Sequence, residues 1–449
     1  MTPNPSLFMR GFYGEPLYIE RAQGAYLFTR DGRKILDGGS GAVIANIGQG
    51  REELAKLAAE VVARVNYVVP VWVSPERERL ATRLAGWTPP GLRRFFFTSG
   101  GSEAVEMALK FAIFYQSLRG RPQKNRIVSR LLSYHGNTLG ALSVSGNRAR
   151  RRNFDQVLID WPKIGPSYCY RCPWQKTYPG CGLDCATALE EEIRRHGADS
   201  IAAFIAEPIV GATGGVIAPV DEYWPRIAEI CRRNDILLIA DEVMTGFGRT
   251  GKRFAVEHWN IKPDLLVGGK GLTAGYVPMG MLAADEALVE ECERAGGDFM
   301  FFTYSSHPLA CAIAERVLEI IEREGLIERA ARVGARLGER LRQVLGGHPM
   351  VGDIRGTGLF WGIELVKDRS TREPFPPSAR AINRVLASAV RRGLFIYPSA
   401  GMAAERGGDA IMVTPPFVIG DEEIEFIAQT LRATLDDVGA GLTTKAAGS

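Results

Sequence analysis

The chain has 449 residues, 46% of them hydrophobic, enough to bury a large core divided over two or three domains. Its 55 basic and 51 acidic residues leave a net charge of +4, with no block of like charge and no basic stripe interleaved with aromatics, which argues against nucleic acid as a partner. The opening stretch MTPNPSLFMRGFYGEPLY has no charged-then-apolar leader pattern and no apolar run reaches spanning length, so a cytoplasmic protein without membrane attachment is expected.

Residues 1–60 hold a short strand pair around YLFTRDGRKILDG. From about residue 92 to 285 the rhythm is strand, glycine-rich turn, helix. RRFFFT, RIVSRLL, SIAAFIAEP, ILLIADEV and DLLVGGK are apolar runs of strand length, and helical patterns such as EAVEMALKFAIFY and DEYWPRIAEICRRN lie between several of them. Runs apolar on both faces and separated by helices predict a parallel sheet between helical layers, an α/β fold. Residues 315–449 carry long charged helices, then DIRGTGLFWGIELV, another helix and IMVTPPFVIG; the terminal GLTTKAAGS reads as a disordered tail.

Ligands of open parallel sheets bind beyond the carboxyl ends of the strands, and four such ends carry unusual residues. In FFFTSGGSEAVEMALK, small residues from Thr98 to Ser102 precede a helix, so backbone N–H groups can approach an anion at a positive helix terminus; a plain turn with a serine N-cap is the rival reading. In SYHGNT, Tyr134 and His135 follow a strand, and Tyr134 can either stack on a planar ring or serve structurally. Asp241 and Glu242 close the apolar strand of LLIADEVMTGFGRTG, where a carboxylate needs a cation or strong donors; a ring N–H⁺ meets that need, as does a loop cap or Mg²⁺. Lys270 follows the strand of DLLVGGKGLTAGYVPMGM, framed by Gly268, Gly269 and Gly271. A partly desolvated lysine there loses proton affinity and suits Schiff-base chemistry.

Phosphate cradle, stacking aromatic, buried acid and Schiff-base lysine, in that order, describe a pyridoxal 5′-phosphate site. The sequence resembles the class III aminotransferases, of the ω-amino acid/amine:pyruvate type, through SGGSEAVEMALK, AEPIVGATGG, DEVMTGFGRTG, PDLLVGGKGLTAGYVPMG and FTYSSHPLAC, over nearly the whole chain. The resemblance implies the aspartate-aminotransferase-like fold type I. A large cofactor-binding domain over 61–325, with a mainly parallel seven-stranded sheet, would join a smaller α+β domain built from 1–60 and 326–449. It implies Lys270 as Schiff-base lysine and proton shuttle, Asp241 on the pyridine nitrogen, Gly101 and Ser102 on the phosphate, Tyr134 and Val243 on the two ring faces, and Glu207 in support. Thr303 would reach the phosphate of a neighbouring subunit, implying a homodimer or a larger assembly. The reaction implied is ping-pong transfer of an amino group from an amine to a keto acid.

Three departures bear on the substrate. Ornithine- and 4-aminobutyrate-type relatives carry an arginine where this chain has Met412, a glutamate where it has Ala212, and a glutamine where it has Met244. The resemblance is therefore to the amine:pyruvate branch, with pyruvate as the expected acceptor and Arg406, in MAAERGGDAIM, as its carboxylate partner; an exposed loop arginine without a role is the alternative. Trp72 and the pair Phe301–Phe302 are candidates for lining the amine pocket. A 4-aminobutyrate- or β-alanine-type transaminase and an aminomutase are the competing activities, and a catalytically inactive, zinc-stapled assembly protein is the reading from another class.

The window YCYRCPWQKTYPGCGLDC, within a loop over 165–186, places Cys169, Cys172, Cys181 and Cys185 as C-x2-C-x8-C-x3-C. Structural zinc, two disulfides and four free thiols all fit that spacing. It carries none of the matched cofactor positions and reads as a staple or thiol-rich loop without secondary structure of its own. Cys231, Cys292 and Cys311 sit among apolar neighbours and are expected in the core.

Overall fold

The computed structural model describes residue 6 and residues 17–297, 301–403 and 406–446, with side chains described to residue 442. Its centre is a seven-stranded sheet in the order β4-β10-β9-β8-β7-β5-β6, formed by β4 (Leu92–Thr98), β5 (Arg126–Arg130), β6 (Lys163–Ile164), β7 (Ile201–Ala206), β8 (Leu237–Asp241), β9 (Leu265–Gly268) and β10 (Gly280–Asp285). Strands β5 to β9 pair in parallel, and β10 runs antiparallel between β4 and β9. The mainly parallel seven-stranded sheet is as expected. Strand β10 escaped the sequence reading because residues 269–279, which join it to β9, hold only the 3₁₀ turn Lys270–Leu272, where a helix-linked pattern leads one to expect a crossover.

Every residue of β7, β8 and β9 is buried. The two-residue period of a strand sends Ala203 and Ile205 to one apolar cluster, with the helix Gly101–Leu118, and Phe204 and Ala206 to another, with the helices Asp184–His196 and Tyr223–Arg233. Burial on both faces is why these strands are unbroken apolar runs.

Two four-stranded sheets flank this layer. One joins the chain ends: β1 (Ile19–Gln23), β2 (Tyr26–Thr29) and β3 (Lys34–Asp37) are extended by β13 (Leu394–Phe395), which pairs in parallel with β3. The other is antiparallel, in the order β11 (Val351–Thr357), β12 (Phe360–Leu365), β15 (Asp409–Val413), β14 (Tyr397–Ala400). The expected disordered tail is corrected in part: the last helix, Asp421–Ala446, runs through most of GLTTKAAGS, because Leu442 still packs against the main core.

The helix Leu326–Leu345 lies against the β11–β12 turn through glycines. The Trp361 indole N–H donates to the carbonyls of Gly334 (3.0 Å) and Gly358 (2.8 Å). A methyl group on Gly334 would overlap the Gly358 carbonyl, and one on Gly338 would overlap the Trp361 ring. Backbone cannot retreat as a flexible side chain can, so Gly334→Ala should destabilise the protein by about 1–3 kcal/mol or more despite its better helix propensity. Chemical denaturation of the two proteins measures this; an unchanged or raised midpoint would show that the helix shifts freely.

Candidate active site

Five strand ends, of β4, β5, β7, β8 and β9, converge on one cavity. After β4, Gly100 is extended and begins the helix Gly101–Leu118 without any side-chain cap, so the serine N-cap is not what forms here. Glu103 instead reaches back, its carboxylate accepting from the Ser99 N–H at 2.8 Å. The first N–H groups of that helix are left without a capping side chain at a positive terminus. A Cβ on Gly101 would stand 2.9 Å from a Val243 methyl, so only glycine lets the loop after β8 come this close. Ser102 Oγ accepts from the Asn137 N–H at 3.0 Å, tying the cradle to the loop after β5.

Asp241, at the end of β8, is 4% exposed, and its Oδ2 lies 2.7 Å from Nδ1 of His135, itself buried. Its Oδ1 accepts from the Val243 N–H at 3.1 Å. Nε2 of His135 is buried with no hydrogen-bond partner among the described residues. His135 was singled out in the sequence beside Tyr134 but given no role. The signal available was the unmet need of Asp241 for a donor, which sequence separation concealed.

Glu207, after β7, accepts from the N–H groups of Tyr134 and Gly211, both at 3.3 Å, while buried Arg130 donates to its carbonyl. Burial raises the Glu207 pKa, opposed by His135 and Arg130. Lys270, half-buried after β9, has φ +42°, a left-handed conformation that costs a non-glycine residue about 1 kcal/mol or more. Burial depresses its pKa; Asp241 and Glu207 oppose that shift and Arg150 adds to it.

The cavity has a volume of about 180 Å³ and opens to solvent. Seven of the sequence-derived residues line it: Gly101, Ser102, Tyr134, Glu207, Asp241, Val243 and Lys270. Ala212 and Met244 line it too, and Met412 is fully buried in the adjoining apolar cluster with Val43, Ile209 and Phe360. The three departures noted in the sequence therefore meet in one apolar wall. Thr303, Trp72, Phe301 and Arg406 are exposed on the single chain and are not among the lining residues. Trp72 and Phe301 are both exposed, and close to Phe301 in sequence the Thr303 carbonyl accepts from the Tyr67 hydroxyl at 2.9 Å.

The donor set fits a flat, phosphorylated pyridine aldehyde: an uncapped helix terminus, a carboxylate with a buried donor behind it, an aromatic face, and an amine of lowered proton affinity. The cysteine window lies apart. All seven cysteines are free thiols, and no three His, Cys, Asp or Glu side chains among the described residues are grouped to hold a metal. The expectation that the window lacks secondary structure is corrected: Cys169 opens a 3₁₀ turn, Cys169–Arg171, and Cys185 lies in the first turn of the helix Asp184–His196, whose apolar face packs under the sheet. Burial pushes the Cys185 thiol up to about 12.

Comparison with known proteins gives a consistent result. The family pattern described as aminotransferase class-III matches residues 12–435. The putrescine–pyruvate aminotransferase of Pseudomonas aeruginosa is 36% identical over 426 residues, covering 94% of this chain and 91% of its own. An (S)-enantioselective ω-transaminase from Thermomicrobium roseum superposes with a TM-score of 0.90 at 38% identity, over 97% of this chain and 96% of its own. An amine transaminase from an uncultivated Pseudomonas species, solved in its PLP-bound form, gives 0.89 at 36% identity, over 97% and 98%.

Glu242, next to Asp241, points the other way: it is fully buried, accepts from the Thr245 hydroxyl and from the Val256 N–H at 2.8 Å, and burial pushes its pKa up to about 7. Its unfolded value is near 4.5, so the native state holds the proton more tightly. The stability it contributes is complete below about pH 4.5 and is lost as pH rises through about 7, on the order of 3 kcal/mol in all. Relative to Glu242→Gln, wild type should lose stability over that window, read by denaturant titration at successive pH values; parallel profiles would remove the burial cost from the account.

Proposed function

Because this chain belongs to the class III aminotransferases, enzymes of PLP fold type I, we propose that it moves an amino group from an amine or ω-amino acid to a keto acid, pyruvate first among them. The observation that carries this is the meeting of Lys270, the Asp241–His135 pair and the apolar wall of Ala212, Met244 and Met412 around one cavity. A relative named for putrescine and pyruvate, and neighbours named ω-transaminases, support the choice of substrates.

In this reading Lys270 would hold the cofactor, the N–H groups at Gly101 and Ser102 would take its phosphate, Tyr134 and Val243 would hold its ring, and Asp241 would pair with the ring nitrogen. Pyridoxal phosphate, when bound, supplies an electron sink conjugated to the carbon that loses its proton. Lys270, with its lowered proton affinity, would serve as the base for that proton once the incoming amine has displaced it. His135 orients the Asp241 carboxylate, and Glu207 fixes the Tyr134 backbone. Amine and keto acid use the same cavity in turn, so the kinetics are ping-pong. The apolar wall leaves nothing to pair with an α-carboxylate on the donor, which favours simple amines and ω-amino acids.

Residues 61–325 act as the cofactor-binding domain in this reading, with the smaller domain from 1–60 and 326–449. A second copy covers the aromatic surface around Tyr67, Trp72, Phe301 and Tyr304 and receives Thr303 at its phosphate site. No helix among the described residues is long and apolar enough to cross a membrane, and the free cysteines suit the cytoplasm.

Purified protein supplied with pyridoxal phosphate should show the visible absorption of bound cofactor and interconvert amine and keto acid with parallel double-reciprocal plots. Lys270→Ala should lose both. Persistence of turnover in that variant would overturn the reading.

A further inference from the structure

The four thiols of the cysteine window have no part in the proposed reaction, and they are not alike. Cys169 is exposed, while Cys172, Cys181 and Cys185 are half-buried. Cys169 opens the 3₁₀ turn Cys169–Arg171, and Cys172 follows it directly. A 3₁₀ turn repeats every three residues and rises about 2 Å per residue, so residues three apart stand over one another, about 6 Å apart at Cα. A disulfide spans about 4.4–6.8 Å between Cα atoms, so the local backbone itself brings Cys169 and Cys172 within reach. Cys185 is placed otherwise. It lies in the first turn of the helix Asp184–His196 and packs against the apolar cluster under the sheet, where burial makes its thiol inert near neutral pH. Cys181 acts electrostatically on Cys169, but less than Cys172 does.

The turn is held from several sides, which keeps the two thiols together. The Arg171 N–H donates to the Tyr168 carbonyl at 3.2 Å, and the Gln175 N–H to the Cys172 carbonyl at 3.0 Å. The side chains of Tyr168 and Arg171 donate to Glu364 on β12. The Arg171 guanidinium also donates to the Arg372 carbonyl at 2.7 Å, and that of Arg372 to the Tyr170 carbonyl at 2.6 Å. Tyr170, between the two cysteines, lies against β11, where a methyl group on Gly352 would overlap its hydroxyl.

We infer that Cys169 and Cys172 are a dithiol that closes reversibly to a disulfide, an oxidation site separate from the cofactor cavity. The oxidant is a small soluble disulfide. The exposed Cys169 thiolate attacks one of its sulfurs and releases one thiolate; the Cys172 thiolate then attacks the Cys169 sulfur and releases the second. The pair loses two electrons, the small disulfide gains them, and the two thiol protons go to the released thiolates. Partial burial, then the thiols of Cys172 and Cys181, hold the Cys169 thiol above its ordinary range, so closure is slow at neutral pH and quickens as pH rises. In a reducing compartment such a pair rests open and reports oxidant by closing. Its reach extends to the cavity. Glu364 also pairs with Arg355, whose guanidinium donates to the carbonyls of Gly214 at 2.7 Å and Val216 at 3.0 Å, on the loop that carries Ala212. Closure fixes Tyr168 and Arg171 to one another and leaves the polar anchors in place, so the wall keeps its shape and yields less. On the transaminase reading above, a bulky amine that presses on the wall is then bound less readily.

The test uses holoenzyme of wild type, Cys169→Ser, Cys172→Ser and Cys181→Ser in buffers stepped from reduced to oxidised glutathione, quenched by alkylation and mapped by mass spectrometry. In wild type two of the seven thiols should be lost together, and the mapped link should join Cys169 to Cys172. Cys172→Ser should stop with glutathione on Cys169, and Cys181→Ser should close as wild type does. A link to Cys181 or Cys185, or seven free thiols at every ratio, would overturn the assignment, as would zinc found on the window by metal analysis. With the half-reactions followed by cofactor absorbance, closure should raise the constant for 1-phenylethylamine by about twofold to tenfold, change that for pyruvate less, and change neither in Cys169→Ser. Equal amine constants in the open and closed forms would overturn the coupling to the wall. Mapping the link needs no turnover, so a closed pair in a protein that consumes no amine with any keto acid would sink the transaminase reading and leave the dithiol standing.

Discussion

Burying a carboxylate at the end of an apolar strand costs several kcal/mol unless a donor meets it. Asp241 is met by His135 at 2.7 Å and by the Val243 N–H at 3.1 Å. That contact ties the end of β8 to the loop after β5, and through Val243 to Gly101 after β4, where a Cβ would not fit. The neighbouring loop after β9 brings Lys270 to the same place. The strand ends are therefore not merely adjacent; each is positioned by the demand of a single buried charge and by the close approach that glycine permits.

The cysteine window has a different part in the architecture. Tyr168 and Arg171, on either side of Cys169, both donate to the fully buried Glu364 on β12, Arg171 at 2.5 Å. Arg355 on β11 completes the group, pairing with Glu364 at 2.7 Å and Asp353 at 2.9 Å and donating to the carbonyls of Gly214 at 2.7 Å and Val216 at 3.0 Å. Four charges in one largely buried cluster offset one another's desolvation, and their hydrogen bonds reach the loop that carries Ala212. The window is a clasp between the antiparallel sheet and the wall of the cavity, and its polar anchors hold it whatever the state of its thiols.

Much of this was legible in the sequence because it is local. Strands buried wholly, as β7, β8 and β9 are, or in part, as β4 and β5 are, advertise themselves as apolar runs, and the glycines around Lys270 and after β4 marked backbone held close to something. What was hidden is what depends on distance along the chain. His135 answers Asp241 across 106 residues; β13 is two residues long and exists because β3 supplies its partner; the final helix is prolonged by a contact of Leu442 with a core assembled elsewhere. Arg150 was invisible for the same reason: in RARRR nothing distinguishes it, and only the fold lays it on Tyr134.

The residues at 212, 244 and 412 show a constraint that the wall of the cavity has to meet. Met412 is fully buried, Ala212 nearly so, and both lie in one cluster with Met244 packed against it. An arginine alone at 412 would be a charge in an apolar wall, and a glutamate alone at 212 would be another, so neither is tolerable without its partner. The wall must be wholly apolar or wholly paired. With it apolar, the wall offers an anionic substrate no charge of its own, and any partner for one must lie outside it.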